Sequence, residues 1–140
     1  MSASVQVQER SSRFASGWQK IVEIDNGILQ QFYRELHGVS PDFANYLVEF
    51  PFGDVYSRPS LDSRRRELAI VSAIAALGHA QPQLRLHLHA ALKVGCSREE
   101  LTEVLMMTSV YSGFPAALNA FATFATVLRE ADAAAAVAAQ

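Results

Sequence analysis

Residues 62–78 read DSRRRELAIVSAIAALG. From Leu68 to Leu77 the stretch carries no charge, and its apolar residues recur at helical rather than alternating spacing. Asp62 or Ser63 supplies an N-cap and Gly78 a stop, so the spacing predicts a helix over 64–77. A helix that is apolar nearly all round is buried on all its sides. This one is too short to cross a bilayer, so it reads as the centre of a packed helical bundle. A chain of 140 residues has little room for several such helices. A homo-oligomer with helical interfaces is therefore expected.

Helix signals continue in both directions. Upstream, Phe14, Trp18, Ile21 and Val22 form one face of a helix over 12–23. Asp25-Asn26-Gly27 interrupts it, and Ile28, Leu29, Phe32 and Leu36 carry a second stripe to His37-Gly38. Ser40 is placed as N-cap with Pro41 at the first helical position, and Phe43, Tyr46, Leu47 and Phe50 make the next apolar face. Pro51 is expected to end that helix, leaving PFGDVYSRPSL over 51–61 as a structured loop. Downstream, a helix starts at Pro82 and runs to Val94 before Gly95. Ser97 and Glu100 form a capping box for the next helix, and Pro115 opens the last. The fold class is all-α, a bundle of about six or seven helices. Residues 1–10 read as a disordered or flexible lead, 11–130 as one domain, and 131–140 as an alanine-rich tail, either a frayed helical extension or disordered.

Composition narrows the function. Half of the residues are apolar and the net charge is −2, which gives no support for a nucleic-acid partner. The opening residues MSASVQVQERSS lack the apolar core of a signal peptide, and no run is long enough to span a membrane. Cys96 is the single cysteine, which excludes an internal disulfide, a CxxC pair and a multi-thiolate metal site. A reducing, cytoplasmic setting fits this usage best.

Four histidines are present. His37 lies at a helix end and His79 in a turn, where solvated or capping roles are expected. His87 shares a helix face with Leu84, Leu88, Ala91 and Val94, and reads either as a hydrogen-bonded core residue or as a proton carrier. His89 falls beside Arg85, Leu86 and Lys93, an edge expected to be more exposed. Residues two apart on a helix diverge, so these two histidines do not chelate one ion, and no HExxH or HxxxH pattern occurs. Of the 12 basic residues only Lys20 and Lys93 are lysines. Arg64, Arg65 and Arg66 point in different directions, so at most one or two face one pocket, as a solvated helix start or as a carboxylate site. Glu67 borders the uncharged stretch and is either paired with an arginine or suited to proton transfer. Tyr56, Tyr111 and Asn119 are hydrogen-bond partners or site residues, and Cys96 reads as a small packing residue.

The segments FGDVYSRPSLDSRRRELAIVSAIAALG and LRLHLHAALKVGCSREELTEVLMMTSVYSGFPAALNAF, within 52–121, resemble the carboxymuconolactone decarboxylase family, which includes the AhpD-type peroxidase accessory proteins. The resemblance rests on an RP-x-L loop before an apolar helix, a histidine before AAL-x-x-G, a capped EE-x-x-EV helix and Y-x-G-x-P-A-A-x-N-A. It implies an AhpD-like bundle assembled as a trimer or hexamer. Glu67 and His87 look like the proton-relay glutamate and histidine of the AhpD-like branch. The segment where that branch carries its two thiols reads HAQPQL over 79–84 and holds no cysteine, so disulfide chemistry is not expected. The resemblance then implies the non-redox branch, a cofactor-independent decarboxylase acting on a small carboxylated lactone or related acid. Tyr56 stands where that branch has tryptophan, and Glu67 where it has a small residue. On this reading His87, Glu67 and Tyr111 are the catalytic candidates and Arg58 or Arg66 binds substrate, with no cofactor or metal. The alternatives are a non-catalytic small-molecule-binding oligomer and an AhpD-like redox partner.

Overall fold

The computed structural model describes residues 11–140, so the expected N-terminal lead lies outside the described residues. These residues form seven α-helices and one π-helical segment, and no strand occurs among them. The helices are α1 (Ser12–Ile24), α2 (Ile28–Val39), α3 (Pro41–Leu47), α4 (Ser63–Leu77), α5 (Gln81–Lys93), α6 (Arg98–Tyr111) and α7 (Phe114–Ala138). The π-helical segment, Val48–Tyr56, continues directly from α3.

Most helix ends follow from local chemistry. The Ser11 hydroxyl accepts from the Phe14 amide at the start of α1, and the Asp62 carboxylate accepts from the Arg65 amide at the start of α4. The Ser97/Glu100 box is formed in both directions, which satisfies two amides that would otherwise lack partners. Asp25 caps α2 from outside it. Its two carboxylate oxygens each accept, at 2.9 Å, from the amides of Leu29 and Gln30, while Gly27 makes the turn at φ +107°. Ser40 occupies the N-cap position of α3, but its side chain makes no capping bond, and Pro41 opens that helix without one.

The chain does not stop at Pro51. It widens into π-helix and carries on to Tyr56. The wider turn spreads the preceding carbonyls and tolerates a residue that has no amide hydrogen and would clash with the i−4 carbonyl of an α-helix. Contact with α1 holds this segment in place. A Cβ on Gly17 would come within 2.1 Å of the Val48 carbonyl oxygen, and one on Gly53 within 2.4 Å of the Arg13 carbonyl oxygen. Only glycine permits two backbones to lie this close.

The core has two parts. Phe14, Ile21, Ile24, Leu29, Tyr33, Val48, Phe52 and Tyr56 fill the first, with Leu86 and Ala90 from α5. Val71, Ala75, Leu101, Leu105, Ala120, Phe124 and Val127 fill the second, with Leu84, Leu88 and Ala91 from α5. It is therefore α5 that is buried on more than one face. In this chain α4 buries the stripe Glu67, Val71 and Ala75 and leaves Ala69, Ala73, Ala76 and Leu77 exposed. The expectation that α4 is covered on all sides does not hold within one chain, because its neighbours, chiefly α5, α6 and α7, leave Ala69, Ala73, Ala76 and Leu77 uncovered. The alanine-rich end is helical to Ala138 as the last turns of α7, where Asp132 pairs with Arg98.

Candidate active site

Three elements meet at a cavity of about 510 Å³, a size typical of small-molecule sites. The π-helical segment supplies Tyr56, α4 supplies Arg66 and α5 supplies His87, with Glu67 of α4 buried behind this wall. Glu67 is fully buried because it takes the first place in the inward stripe of α4. A carboxylate there survives only with partners, and it has two. The Tyr56 hydroxyl donates to Oε1 at 2.8 Å, and His87 Nδ1 lies 3.0 Å from Oε2.

This geometry orients the histidine. An ionised carboxylate only accepts, so Nδ1 carries the hydrogen toward Glu67 and Nε2 is left for a ligand. Burial, with the Glu67 carboxylate alongside, pushes the Tyr56 hydroxyl far above its usual range, so it stays a neutral donor. His87 lines the cavity with its side chain 13% exposed, so a solute can reach it without bulk water flooding the site.

Arg66 is fixed above the same wall. Its guanidinium lies over the Tyr56 ring, 5.5 Å from the centroid, and its Nη2 donates to the carbonyls of Arg58 at 2.8 Å and Leu61 at 3.3 Å. Its Nε is buried without a hydrogen-bond partner, the one such side-chain nitrogen or oxygen among the described residues. The neighbouring arginines turn away: Arg64 pairs with Glu100 and Arg65 with Asp62. Apart from Arg66 and His87 the walls are mostly apolar, with Phe50, Phe52, Val55, Leu61, Ala69 and Ile70 among them.

The structure thus brings Glu67, His87 and Arg66 together and adds Tyr56. The Arg58 side chain is exposed outside the cavity wall, and only its backbone carbonyl enters the arrangement, through Arg66. Tyr111 is 86% exposed at the end of α6 and does not line the cavity of this chain. His89 is not on an exposed edge. It is buried, with Nε2 at 2.9 Å from a Glu130 oxygen, and Arg85 holds the same carboxylate through two nitrogens. Helix α7 covers that face and supplies the counter-charge, which its neighbours on α5 do not reveal. Cys96 is buried, its thiol donates to the Arg64 carbonyl at 3.4 Å, and burial pushes its pKa up. Among the described residues no three His, Cys, Asp or Glu side chains gather where a metal could be held, and no helix is long and apolar enough to cross a membrane.

Comparison with known proteins follows the same lines. Over 83 residues the chain is 36% identical to 4-carboxymuconolactone decarboxylase of Acinetobacter baylyi, covering 59% of this chain and 61% of that protein. It is 30% identical over 116 residues to an uncharacterized 15.0 kDa protein of Paracoccus denitrificans, covering 81% of this chain and 87% of that one. Nitrosuccinic acid decarboxylase of Metarhizium robertsii is 31% identical over 74 residues, 53% of this chain and 51% of that protein. The carboxymuconolactone decarboxylase family model matches residues 41–126, a span that contains Tyr56, Arg66, Glu67 and His87. With that match over more than half its length, the chain belongs to the carboxymuconolactone decarboxylase family.

Proposed function

We propose that this protein is a cofactor-independent carbon–carbon lyase that decarboxylates a small carboxylated lactone or a related acid. The observation that carries this reading is the buried Glu67 carboxylate, bridging the Tyr56 hydroxyl and His87 Nδ1 behind the wall of a mostly apolar cavity that also holds Arg66. The relatives named as decarboxylases act on carboxymuconolactone and on nitrosuccinic acid. Both are acids in which a carbonyl or nitro group can take up an electron pair.

The chemistry needs little more than this wall supplies. The bond to the departing carboxylate breaks, CO2 leaves, and its electron pair moves into the conjugated carbonyl or nitro group. A proton then goes to carbon. Arg66 holds a retained carboxylate with a guanidinium already fixed by backbone carbonyls, and the apolar walls disfavour the charged carboxylate that leaves. His87, in the imidazolium form that keeps Nδ1–H on Glu67, delivers the proton from Nε2–H, and Glu67 orients the ring and stabilises that charged form. Arg58 assists by anchoring Arg66. The protein works as a cytoplasmic homo-oligomer, a trimer or hexamer, which accounts for the exposed Phe43, Tyr46 and Phe50 on α3 and its extension and for Val110, Tyr111 and Phe114 near the end of α6. In such an assembly Tyr111 reaches a site only across a subunit contact.

Incubation with 4-carboxymuconolactone, followed by CO2 release and loss of ultraviolet absorbance, tests the reading. His87→Gln is expected to lower kcat by about 10²–10⁴-fold, the usual weight of a general acid. Undiminished turnover by this variant, with wild-type circular dichroism, would remove His87 from the mechanism. Thermal stabilisation by the lactone without CO2 release would favour the binding-protein alternative. Turnover that depends on Cys96 would favour the redox one.

A further inference from the structure

His87 walls a second cavity as well. It measures about 300 Å³ and is lined by Leu29, Phe32, Leu36, Leu47 and Leu86, with Gln83 at an exposed position as its polar group besides His87. Pro51, Phe52 and His87 belong to both cavities. The histidine therefore lies where two compartments adjoin and borders both. The first compartment carries the cation, Arg66, and the second carries none.

This division sets a requirement on the ligand. A compact acid seated against Arg66 fills only the first compartment. The second holds no Arg or Lys to compensate a carboxylate for lost water, so it selects against negative charge. It suits an apolar group instead, since an apolar cavity of only about 150 Å³ already holds a benzene.

We infer that the second cavity receives the apolar arm, aryl or short alkyl, of an acid whose carboxylated head lies against Arg66, with His87 between the two. The inference rests on the decarboxylase reading only for where the head sits. The substrate class becomes an arm-bearing carboxylic acid, larger than a bare lactone. Leu36 and Leu47 set how large the arm can be.

Binding tests this without turnover, so its failure is distinct from the absence of CO2 release. Succinate and benzylsuccinate are titrated calorimetrically into the full-length protein. Benzylsuccinate is expected to bind about ten-fold or more tightly, the effect of burying one phenyl group. Nuclear Overhauser contacts are expected from its ring to the methyl groups of Leu36 and Leu47. Leu36→Trp and Leu47→Phe fill the cavity from two helices and are expected to abolish most of the advantage while leaving succinate affinity unchanged. Fold is checked by circular dichroism, and either variant suffices if the other misfolds. Equal affinities for the two probes overturn the inference. So do an advantage that survives in a folded variant, and failure of both probes to bind at millimolar concentration.

Discussion

Glu67 is the residue on which the site turns, because it is a carboxyl group with no access to water. Its two oxygens have different partners, so it can impose one orientation on His87 while Tyr56 donates to the other oxygen. Glu67→Gln separates orientation from packing. With its oxygen accepting from Tyr56, the amide presents N–H to His87 Nδ1, which places the hydrogen of the neutral ring on Nε2 and removes the charge that stabilises the protonated ring. We expect kcat to fall by roughly 10²–10⁴-fold with KM little changed, and the His87 nitrogen shifts to report the switched tautomer. Unchanged nitrogen shifts would mean that Glu67 does not set the tautomer. The sequence already offered Glu67 beside an apolar run and His87 on an apolar face. It did not offer their meeting, since the two lie on separate helices. Tyr56 was legible as a hydrogen-bond partner, but its acceptor was not, because it arrives from a segment that reads as loop.

That segment shows what decides an element here. Pro51 is a sound local stop signal, and an isolated helix would end at it. The chain continues because α1 lies against Val48–Tyr56 at glycine distance, so tertiary contact overrides the local signal. Gly17→Ala is expected to destabilise the fold by about 1–3 kcal/mol or more, because the new methyl meets backbone rather than a movable side chain. Urea denaturation measures this, and a loss within about 0.5 kcal/mol of wild type would show that the two backbones can separate cheaply. The Arg13 pairs with Asp54 and Glu49 cross the same contact, but the Arg13 side chain is half exposed, so solvent screens both and they contribute little. The caps at Asp62 and Ser97 were legible because a cap is a local event. The burial of His89 was not, because Glu130 comes to it from a helix late in the chain.

At the scale of the molecule, Glu130 ties α7 to α5. Arg85 first, and His89 with it, hold its carboxyl at about 2, against an ordinary value of 4.5. A carboxyl depressed by folding stabilises the folded state above its ordinary value and loses that contribution as pH falls toward the folded one. The wild type should therefore lose thermal stability between pH 4.5 and 2 in part through this group. Glu130→Gln should melt lower at neutral pH and show a shallower decline across that window. Parallel curves for the two proteins would contradict this. The Arg85 and Glu130 side chains are 40% and 33% exposed, so solvent and salt keep the effect small. The all-α class was readable from periodicity alone. The division of the core into two was not, since nothing local marks α5 as the helix that both halves share. That sharing has a thermodynamic consequence. Loss of α5 from either half exposes apolar surface in both, so the cavity wall and the α6–α7 pair are expected to melt as one cooperative unit.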